Sequence, residues 1–263
     1  MFTHNLSPIF LKLGPLEIRY YSLMYLLGLI LAYYLINYLA GQRGLKTNKG
    51  PFTRGDTSDL LFYLFIGLLV GARLFYILIY NLKFFLAEPL EMLMIWHGGL
   101  SFHGGLIGML IAGFLFCRKR KIDFLELADI SVMAIALGLM LGRIGNFING
   151  ELVGRVTSVP WAIKFPNYEG FRHPSQLYEA AKNLIIFLIL WNVKDKNYFK
   201  NKKGGLFVLF ILLYSTFRFF IEFFREADPQ LGYFYGLTMG QLLNIVMFVI
   251  GLVIWKFLVK DRS

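Results

Sequence analysis

The sequence predicts an all-α integral membrane protein with seven transmembrane helices. Its 263 residues are 57% hydrophobic and only 16% charged, a balance that is not typical of soluble domains of this size. Seven apolar runs are long enough to cross the hydrocarbon core of a bilayer, which takes roughly 20 helical residues. Basic residues are concentrated in alternate loops between these runs. Composition, run length and charge asymmetry therefore predict one integral membrane domain covering residues 1–263.

The first three predicted spans are 20–40, 60–81 and 97–117. The first opens at Tyr21, and the second carries Arg73 in an otherwise apolar stretch. The third begins in a glycine-rich segment and ends at Cys117. It places His103 about two turns inside its outer end, where a charged or polar side chain is costly to bury.

The other four predicted spans are 125–145, 175–193, 205–224 and 236–258. Glu126 and Asp129 lie near the start of the fourth span, and the rest of its inner half is apolar. The sixth span contains Arg218 and Glu222, which are four residues apart and therefore share one helix face.

The loops divide into a strongly basic set and a weakly basic set. The strongly basic set includes the Arg-Lys-Arg-Lys run at 118–121 and the lysine-rich segment 194–203. The positive-inside rule assigns these loops to the cytoplasm, with the N-terminus outside and the C-terminus in the cytoplasm. The net charge of +11 follows mainly from this asymmetry, which favours membrane lipids and not nucleic acid as partners.

One long segment, approximately 145–175, follows the fourth span on the outer side. It is rich in glycine, proline, asparagine and aromatic residues, and its stretch 159–166 is compatible with an extended strand. We expect this segment to form a small cap over the outer face, approximately residues 145–175.

Ionisable side chains are predicted to lie at one common depth. With a rise of about 1.5 Å per residue through a core of about 30 Å, Arg143, Arg218 and Arg73 lie in the outer half of their spans, as do His103 and Glu222. Any one of them alone is compatible with a snorkelling arginine or a satisfied core histidine. Together they favour a shared hydrated cavity, because burying each one separately is costly. Its surplus positive charge predicts an anionic ligand.

Three glycine pairs at i, i+4 spacing predict close contacts between membrane helices. They are Gly67/Gly71, Gly104/Gly108 and Gly138/Gly142. The four glycines within 142–154 instead indicate sharp turns or a backbone that approaches a ligand.

Metal and cofactor chemistry are not expected. Cys117 is the single cysteine, so neither a disulfide framework nor a cysteine metal site is available. The four histidines, His4, His97, His103 and His173, do not form a His-Glu-x-x-His motif.

Several motifs in order resemble the prolipoprotein diacylglyceryl transferases, integral enzymes of the bacterial inner membrane. The motif residues are Gly142-Arg-Ile-Gly-Asn-Phe-Ile-Asn-Gly-Glu-Leu-Val-Gly154, Ser101-Phe-His-Gly-Gly105, Arg172-His-Pro-Ser-Gln-Leu-Tyr-Glu179, Arg218-Phe-Phe-Ile-Glu-Phe-Phe-Arg225 and Gly236-Leu-Thr-Met-Gly-Gln241. The resemblance covers nearly the whole chain. It implies a multi-pass inner-membrane enzyme whose active site faces the periplasmic leaflet.

The resemblance also implies a reaction and a set of residues. The sn-1,2-diacylglyceryl group of phosphatidylglycerol would move to the lipobox cysteine of a preprolipoprotein, forming a thioether and releasing glycerol 1-phosphate. This would be the first step of lipoprotein maturation, and no cofactor is implied. The matching functional positions are Tyr21, His103, Arg143, Asn146, Glu151, Gly154, Arg218 and Glu222.

The residues themselves suggest how these roles divide. Arginine binds phosphate in a bidentate manner, so Arg143 and Arg218 are expected to clamp it and to stabilise the leaving group. His103 is the expected general base for the thiol, although a positioning role remains open. The other expected substrate-site residues are Tyr21, Asn146, Asn149, Glu151, Gly154, Glu222 and Arg73. Of these, Glu151 or Glu222 is expected to fix the orientation of an arginine and not to touch substrate.

Two other classes of protein remain as alternatives. An intramembrane serine protease would use Ser101 with His103, but residues two apart on a helix point away from each other and the G-x-S-x-G motif is absent. A lipid transporter would also need buried arginines, yet its polar residues should continue to the inner leaflet or repeat in two halves. Polarity confined to one leaflet favours an enzyme.

Overall fold

The computed structural model describes residues 2–226, 233–234 and 236–260. The helices are α1 Tyr20–Arg43, α2 Arg54–Tyr80, α3 Leu82–Ala87, α4 Phe102–Arg120, α5 Phe124–Asn149, α6 Ser175–Val193, α7 Asn197–Asn201, α8 Gly205–Ile221 and α9 Met239–Lys260. The strands are β1 Phe2–Thr3, β2 Ile9–Leu13, β3 Leu16–Arg19, β4 Lys46–Thr47, β5 Gly50–Pro51, β6 Ile163–Lys164, β7 Phe171–Arg172, β8 Tyr233–Phe234 and β9 Leu237–Thr238.

The prediction of an integral, mostly helical membrane protein is confirmed. In the described part of the chain, six helices are long and apolar enough to cross a membrane, namely α1, α2, α4, α5, α8 with its continuation to Phe224, and α9. A long helix, α6, also forms at the remaining predicted run, the fifth, at 175–193. Its first turns carry Glu179, Lys182 and Asn183, which lower its apolar character below that of the other six.

The third predicted span begins later than expected. Helix α4 starts at Phe102, because the Ser101 hydroxyl caps it by accepting from the Gly104 N–H at 3.4 Å. Gly98 and Gly99 precede it with φ values of +85° and +73°, a conformation that ends a right-handed helix. The predicted depth of His103, two turns inside the span, is therefore wrong, since this residue lies in the first turn of α4.

The chain forms two compact units, one of Ile36–Leu127 and one of Met1–Leu35 with Ala128–Ser263. In the first unit, α2 and α4 pack against each other with their backbones in close contact. A Cβ on Gly67 would lie 2.5 Å from the Gly108 carbonyl oxygen, and one on Gly71 would lie 2.7 Å from Gly108 Cα. The predicted packing role of these glycines is confirmed.

The third glycine pair behaves differently. A Cβ on Gly138 or on Gly142 would meet no heavy atom within 4 Å in the described part of the chain. A Cβ on Gly28 of α1 would, however, lie 3.7 Å from Gly138 Cα. Gly138 therefore packs against α1 at an ordinary van der Waals distance, which is looser than the backbone contacts of the other two pairs.

The second unit contains α5, α6, α8 and α9 together with the segment between α5 and α6. Asp129 of α5 is fully buried and accepts from the Gly204 and Phe207 N–H groups at 3.0 and 2.8 Å, which satisfies the N-terminus of α8. Part of the predicted extended stretch forms β6, which pairs in parallel with β1 and antiparallel with β7. Strand β1 is further fixed by His4, whose Nε2 lies 2.8 Å from the Phe147 carbonyl oxygen.

Candidate functional site

Three helices of the second unit bring two arginines onto one buried carboxylate. The side chain of Glu179 on α6 is only 2% exposed. Its Oε1 lies 3.1 Å from Nη1 of Arg218 on α8, and its Oε2 lies 3.9 Å from Nε of Arg143 on α5. The structure thus brings together the two arginines that were expected to bind phosphate, through a residue that sequence reasoning had not included in the site.

A lysine completes the surroundings of this carboxylate. Lys182 lies one helical turn after Glu179, and its Nζ donates to Glu179 Oε2 at 2.8 Å. The same Nζ lies 3.8 Å from the ring centroid of Tyr214 on α8, a distance typical of a cation–π contact. The Lys182 side chain is only 1% exposed.

Glu222 forms a second carboxylate centre where α8 ends. It pairs with Arg218 one turn earlier and lies 3.8 Å from Arg225 Nη1. It also accepts from the Thr238 hydroxyl at 3.2 Å. The expectation that Glu222 orients an arginine agrees with these contacts.

The start of α9 is shaped to approach Glu222 closely. Thr238 and Gln241 cap this helix reciprocally, with backbone to side-chain distances of 3.0 and 3.2 Å. A Cβ at Gly240 would lie 2.7 Å from Glu222 Oε1. Only glycine therefore allows the first turn of α9 to come so near to the carboxylate.

The described cluster has a surplus of positive charge. Its four cations are Arg143, Arg218, Arg225 and Lys182, and its two carboxylates are Glu179 and Glu222. Two positive charges remain uncompensated. Burial, together with the nearby Arg218, lowers the pKa of Arg225 from its usual value, as expected for cations crowded away from water.

Glu151 has different contacts from Glu222. Of the two candidates for orienting an arginine, Glu222 pairs with arginine, whereas Glu151 Oε1 accepts from the side-chain amides of Asn146 at 2.8 Å and Asn149 at 3.3 Å. These residues meet because α5 continues to Asn149, four residues beyond the predicted end, and then turns at Gly150 with φ +69°. The Gln176 amide fixes the turn by donating to the Glu151 carbonyl oxygen at 2.6 Å.

Gly154 lies where two backbone segments meet. It forms a β-bridge with Arg225, and its N–H donates to the His173 carbonyl oxygen at 2.9 Å. A Cβ here would lie 2.5 Å from the Phe224 carbonyl oxygen. Arg172 stabilises the backbone at Gly154, because its Nη1 donates to the Gly154 carbonyl oxygen at 3.1 Å. The segment before α6 is thereby joined to the end of α8, close to Arg225.

Tyr21 lies at the start of α1 and packs against α5. A Cβ on Gly145 would lie 2.7 Å from the Tyr21 ring, so this glycine makes room for the aromatic side chain. The Tyr21 hydroxyl lies 2.9 Å from that of Tyr25. Two phenol groups are thereby placed together one turn apart on α1.

His103 and Arg73 lie in the first unit, Ile36–Leu127. His103 is exposed in the first turn of α4, and its ring contacts Phe102 edge-on. Arg73 is buried, and its guanidinium donates to backbone carbonyl oxygens of the segment 91–99, including that of Met92 at 3.2 Å and Gly99 at 3.1 Å. These contacts show Arg73 organising the chain that leads into α4.

Among the described residues, no group of three or more His, Cys, Asp or Glu side chains is arranged to hold a metal ion. The site residues that sequence reasoning missed are Glu179, Lys182 and Gln176. A signal for the first two was present, since a carboxylate and a lysine three residues apart in an apolar run are expected to be paired.

Fold and site together define a helical membrane protein that holds a cluster of cations around two buried carboxylates. The prolipoprotein diacylglyceryl transferase family profile matches residues 8–257. The phosphatidylglycerol–prolipoprotein diacylglyceryl transferase of Geobacter sulfurreducens is 50% identical to this chain, with 94% of each chain covered. Proteins of the same name from Desulfotalea psychrophila and Aeromonas hydrophila are 44% and 48% identical, over 98% and 95% of this chain and 95% and 90% of theirs.

This chain belongs to the prolipoprotein diacylglyceryl transferase family. The resemblance carried by the sequence motifs is thereby confirmed.

Proposed function

We propose that this protein transfers the sn-1,2-diacylglyceryl group from phosphatidylglycerol to the thiol of a lipobox cysteine in preprolipoproteins. A C–S thioether bond forms, the C–O bond to phosphate breaks, and glycerol 1-phosphate leaves with the electron pair of that bond. The observation that carries the proposal is the bridging of Arg143 and Arg218 by Glu179 in a membrane-embedded cluster with two surplus positive charges, together with family membership.

Arg143 and Arg218 would bind the phosphate. The Arg143 side chain is 22% exposed and approaches Glu179 only to 3.9 Å, so its donors remain available to a ligand. Arg218 is held from both sides by Glu179 and Glu222, which fixes its orientation before substrate arrives. Guanidinium groups placed in this way stabilise the charge that develops on the departing phosphate without first having to reorganise.

His103 would take the proton of the attacking thiol. A free thiol has a pKa of about 8.5 and is only a few per cent ionised at neutral pH. The exposed imidazole of His103 forms no hydrogen bond with the described residues, so both ring nitrogens are available to a substrate. A role in positioning the peptide is the alternative that the pH profile below distinguishes.

The remaining predicted residues would shape the substrate site. Asn146, Asn149 and Glu151 form a hydrogen-bonded group on the turn after α5, next to Arg143 on the same helix. Tyr21 would donate a hydrogen bond at headgroup depth. Gly154 and Arg73 would act by holding the backbone, as their contacts indicate.

For the arrangement in the membrane we propose seven spans. They are the six apolar helices named above and α6, which is the fifth span in chain order. The charged first turns of α6 face the buried cluster and not lipid, which is how a polar helix is tolerated in a bilayer. Alternate loops are basic, which supports a periplasmic N-terminus and a cytoplasmic C-terminus. Residues 145–175 would then form a periplasmic cap over an active site in the outer leaflet of the bacterial inner membrane.

Two observations weigh against the alternative classes of protein. The Ser101 hydroxyl caps α4, which makes it unsuited to act as a protease nucleophile. Asp129, a charged residue of the inner half of α5, caps α8 and is fully buried, so it does not line a path for transport. Chemistry at one leaflet accounts for the polar residues better than passage across both.

The proposal is tested with purified protein in detergent, phosphatidylglycerol and a synthetic lipobox peptide with one cysteine. Release of glycerol phosphate is followed together with the mass of the peptide. We expect one glycerol phosphate per diacylglyceryl-sized mass gain, and neither product when the peptide cysteine is replaced by serine. Lipid binding without either product would refute the transferase proposal and favour transport.

A further inference from the structure

Lys182 is a fully buried lysine on a helix of the membrane domain, and the proposed chemistry does not yet use it. Its side chain is 1% exposed, and removing an ammonium group from water is costly unless a partner compensates for it. Its Nζ donates to Glu179 Oε2 at 2.8 Å and packs on the Tyr214 ring at 3.8 Å. The hydrogen bond to a carboxylate and the ring contact both favour the charged form of Lys182 in the folded protein.

The negative charge of Glu179 lowers the positive charge that the site can offer to a phosphate, and Lys182 compensates for it. The carboxylate bridges the two arginines, with Oε1 at 3.1 Å from Arg218 and Oε2 at 3.9 Å from Arg143. Without another cation, Glu179 would cancel one of the positive charges needed by a bound phosphate. Lys182 takes the closer place on Oε2, at 2.8 Å against 3.9 Å for Arg143. The carboxylate can therefore brace both arginines while a neighbouring lysine balances its charge.

The net charge of the cluster depends directly on this lysine. With four cations and two carboxylates the cluster has two surplus positive charges, and without Lys182 it has one. In the proposed reaction the phosphate of phosphatidylglycerol is a diester with one negative charge. The departing glycerol phosphate is a monoester with a charge of about −1.5 to −2 at neutral pH. Negative charge at the phosphate therefore grows by up to about one unit as the C–O bond breaks.

We propose that Lys182 is a positioning residue that sets the charge of the site to match the leaving glycerol phosphate rather than the bound diester. This inference rests on the proposed function. Because only interactions that strengthen on the way to the transition state accelerate the chemical step, a charge matched to the leaving group raises kcat more than it lowers KM. Lys182 acts through Glu179 and the local electrostatic potential, without contacting substrate.

The first test is Lys182→Met, which keeps an unbranched side chain and removes the charge. We expect kcat to fall by about tenfold, the size of effect expected for one charge acting at a distance in a partly shielded site, while KM for phosphatidylglycerol changes by less than about threefold. Inhibition by glycerol 1-phosphate should weaken more than inhibition by glycerophosphoglycerol, the deacylated diester. A merely structural lysine would not change the ratio of these two inhibition constants.

The matched control is Lys182→Arg, which keeps a positive charge beside Glu179 and leaves the two surplus positive charges in place. We expect it to retain most of the wild-type kcat and the wild-type ratio of inhibition constants. Lys182→Gln removes the charge but keeps an amide donor for Glu179, so it provides a neutral comparison if Lys182→Met is unstable in thermal unfolding.

Two results would overturn the proposal. One is a Lys182→Arg variant as impaired as Lys182→Met, which would show that the shape of the lysine side chain, and not its charge, supports turnover. The other is equal weakening of both inhibitors by Lys182→Met. Failure of the proposed function is distinguishable from either result, since it would appear as absent turnover of phosphatidylglycerol by the wild-type protein.

Discussion

Replacement of Arg143 by lysine tests whether the site recognises phosphate by geometry or by charge alone. Arg143→Lys keeps the positive charge but replaces a planar fork of donors with a single ammonium group. In the structure the guanidinium lies 3.9 Å from Glu179 Oε2, and its side chain is 22% exposed. It forms no hydrogen bond with the described residues, so its donors are free for a ligand.

The expected size of the effect follows from this geometry. Loss of one charge-assisted hydrogen bond to the phosphate costs about 1.5–3 kcal/mol, which corresponds to a fall in kcat/KM of about 10- to 150-fold. Stability should change little, because a loose and partly exposed ion pair contributes at most about 1 kcal/mol. We therefore expect a large loss of activity with a shift in Tm of no more than about 3 °C.

The assay measures glycerol phosphate release and peptide mass for Arg143→Lys and for a matched control, Arg118→Lys. Arg118 lies in the last turn of α4, within the basic run 118–121. The control variant should retain full activity. Near wild-type kcat/KM for Arg143→Lys would refute bidentate phosphate binding by this residue. A large fall in Tm would instead show that Arg143 mainly stabilises the fold.

Three further predictions concern a base, a glycine and a partly buried histidine. His103→Ala should abolish the rise of kcat/KM with pH that a general base produces, and an unchanged pH profile would argue against that role. Gly154→Ala should destabilise the protein by about 2 kcal/mol in thermal unfolding, because its Cβ would lie 2.5 Å from the Phe224 carbonyl oxygen, whereas Gly41→Ala has open space and should not. Burial lowers the pKa of His173, so stability is fully present above about pH 6.5 and declines as the pH falls through the lowered value. His173→Gln should flatten this decline, and an equal decline in the variant would assign it to other groups.

The positions of the long helices were predictable because the bilayer imposes length and composition on each span. Runs of about 20 apolar residues correspond to α1, α2, α4, α5, α8 and α9. Helix ends were less predictable, since they depend on local caps. Ser101 delays the start of α4, and the turn at Gly150 allows α5 to continue to Asn149. These local features changed the depth of His103 and placed Asn146 on a helix.

The cluster itself was only half predictable. The position of each residue within its predicted span placed three polar side chains at a similar depth in the membrane, namely Arg143, Arg218 and Glu222. Their partners, however, depend on how each helix is rotated about its axis. Glu179 lies within one of the sequence motifs, but nothing in one sequence shows which face of α6 meets α5 and α8. The choice between Glu151 and Glu222 as the carboxylate that orients an arginine was open for the same reason, and the turn after α5 directs the Glu151 carboxylate to two asparagine amides.

The two arginines have different environments, and this difference explains how a membrane protein can keep such a site when substrate is absent. Arg218 has Glu179 and Glu222 as counterions, so its burial is compensated at all times, and in the proposed reaction it would define where the phosphate lies. Arg143 is more exposed and loosely paired, so it can turn towards a ligand without breaking a strong contact. A site with both arginines tightly paired would have to break an ion pair to bind phosphate, while a site with both unpaired would be unstable in the bilayer. One fixed and one available arginine satisfy both requirements, and the bridging carboxylate of Glu179 keeps them within reach of the same phosphate.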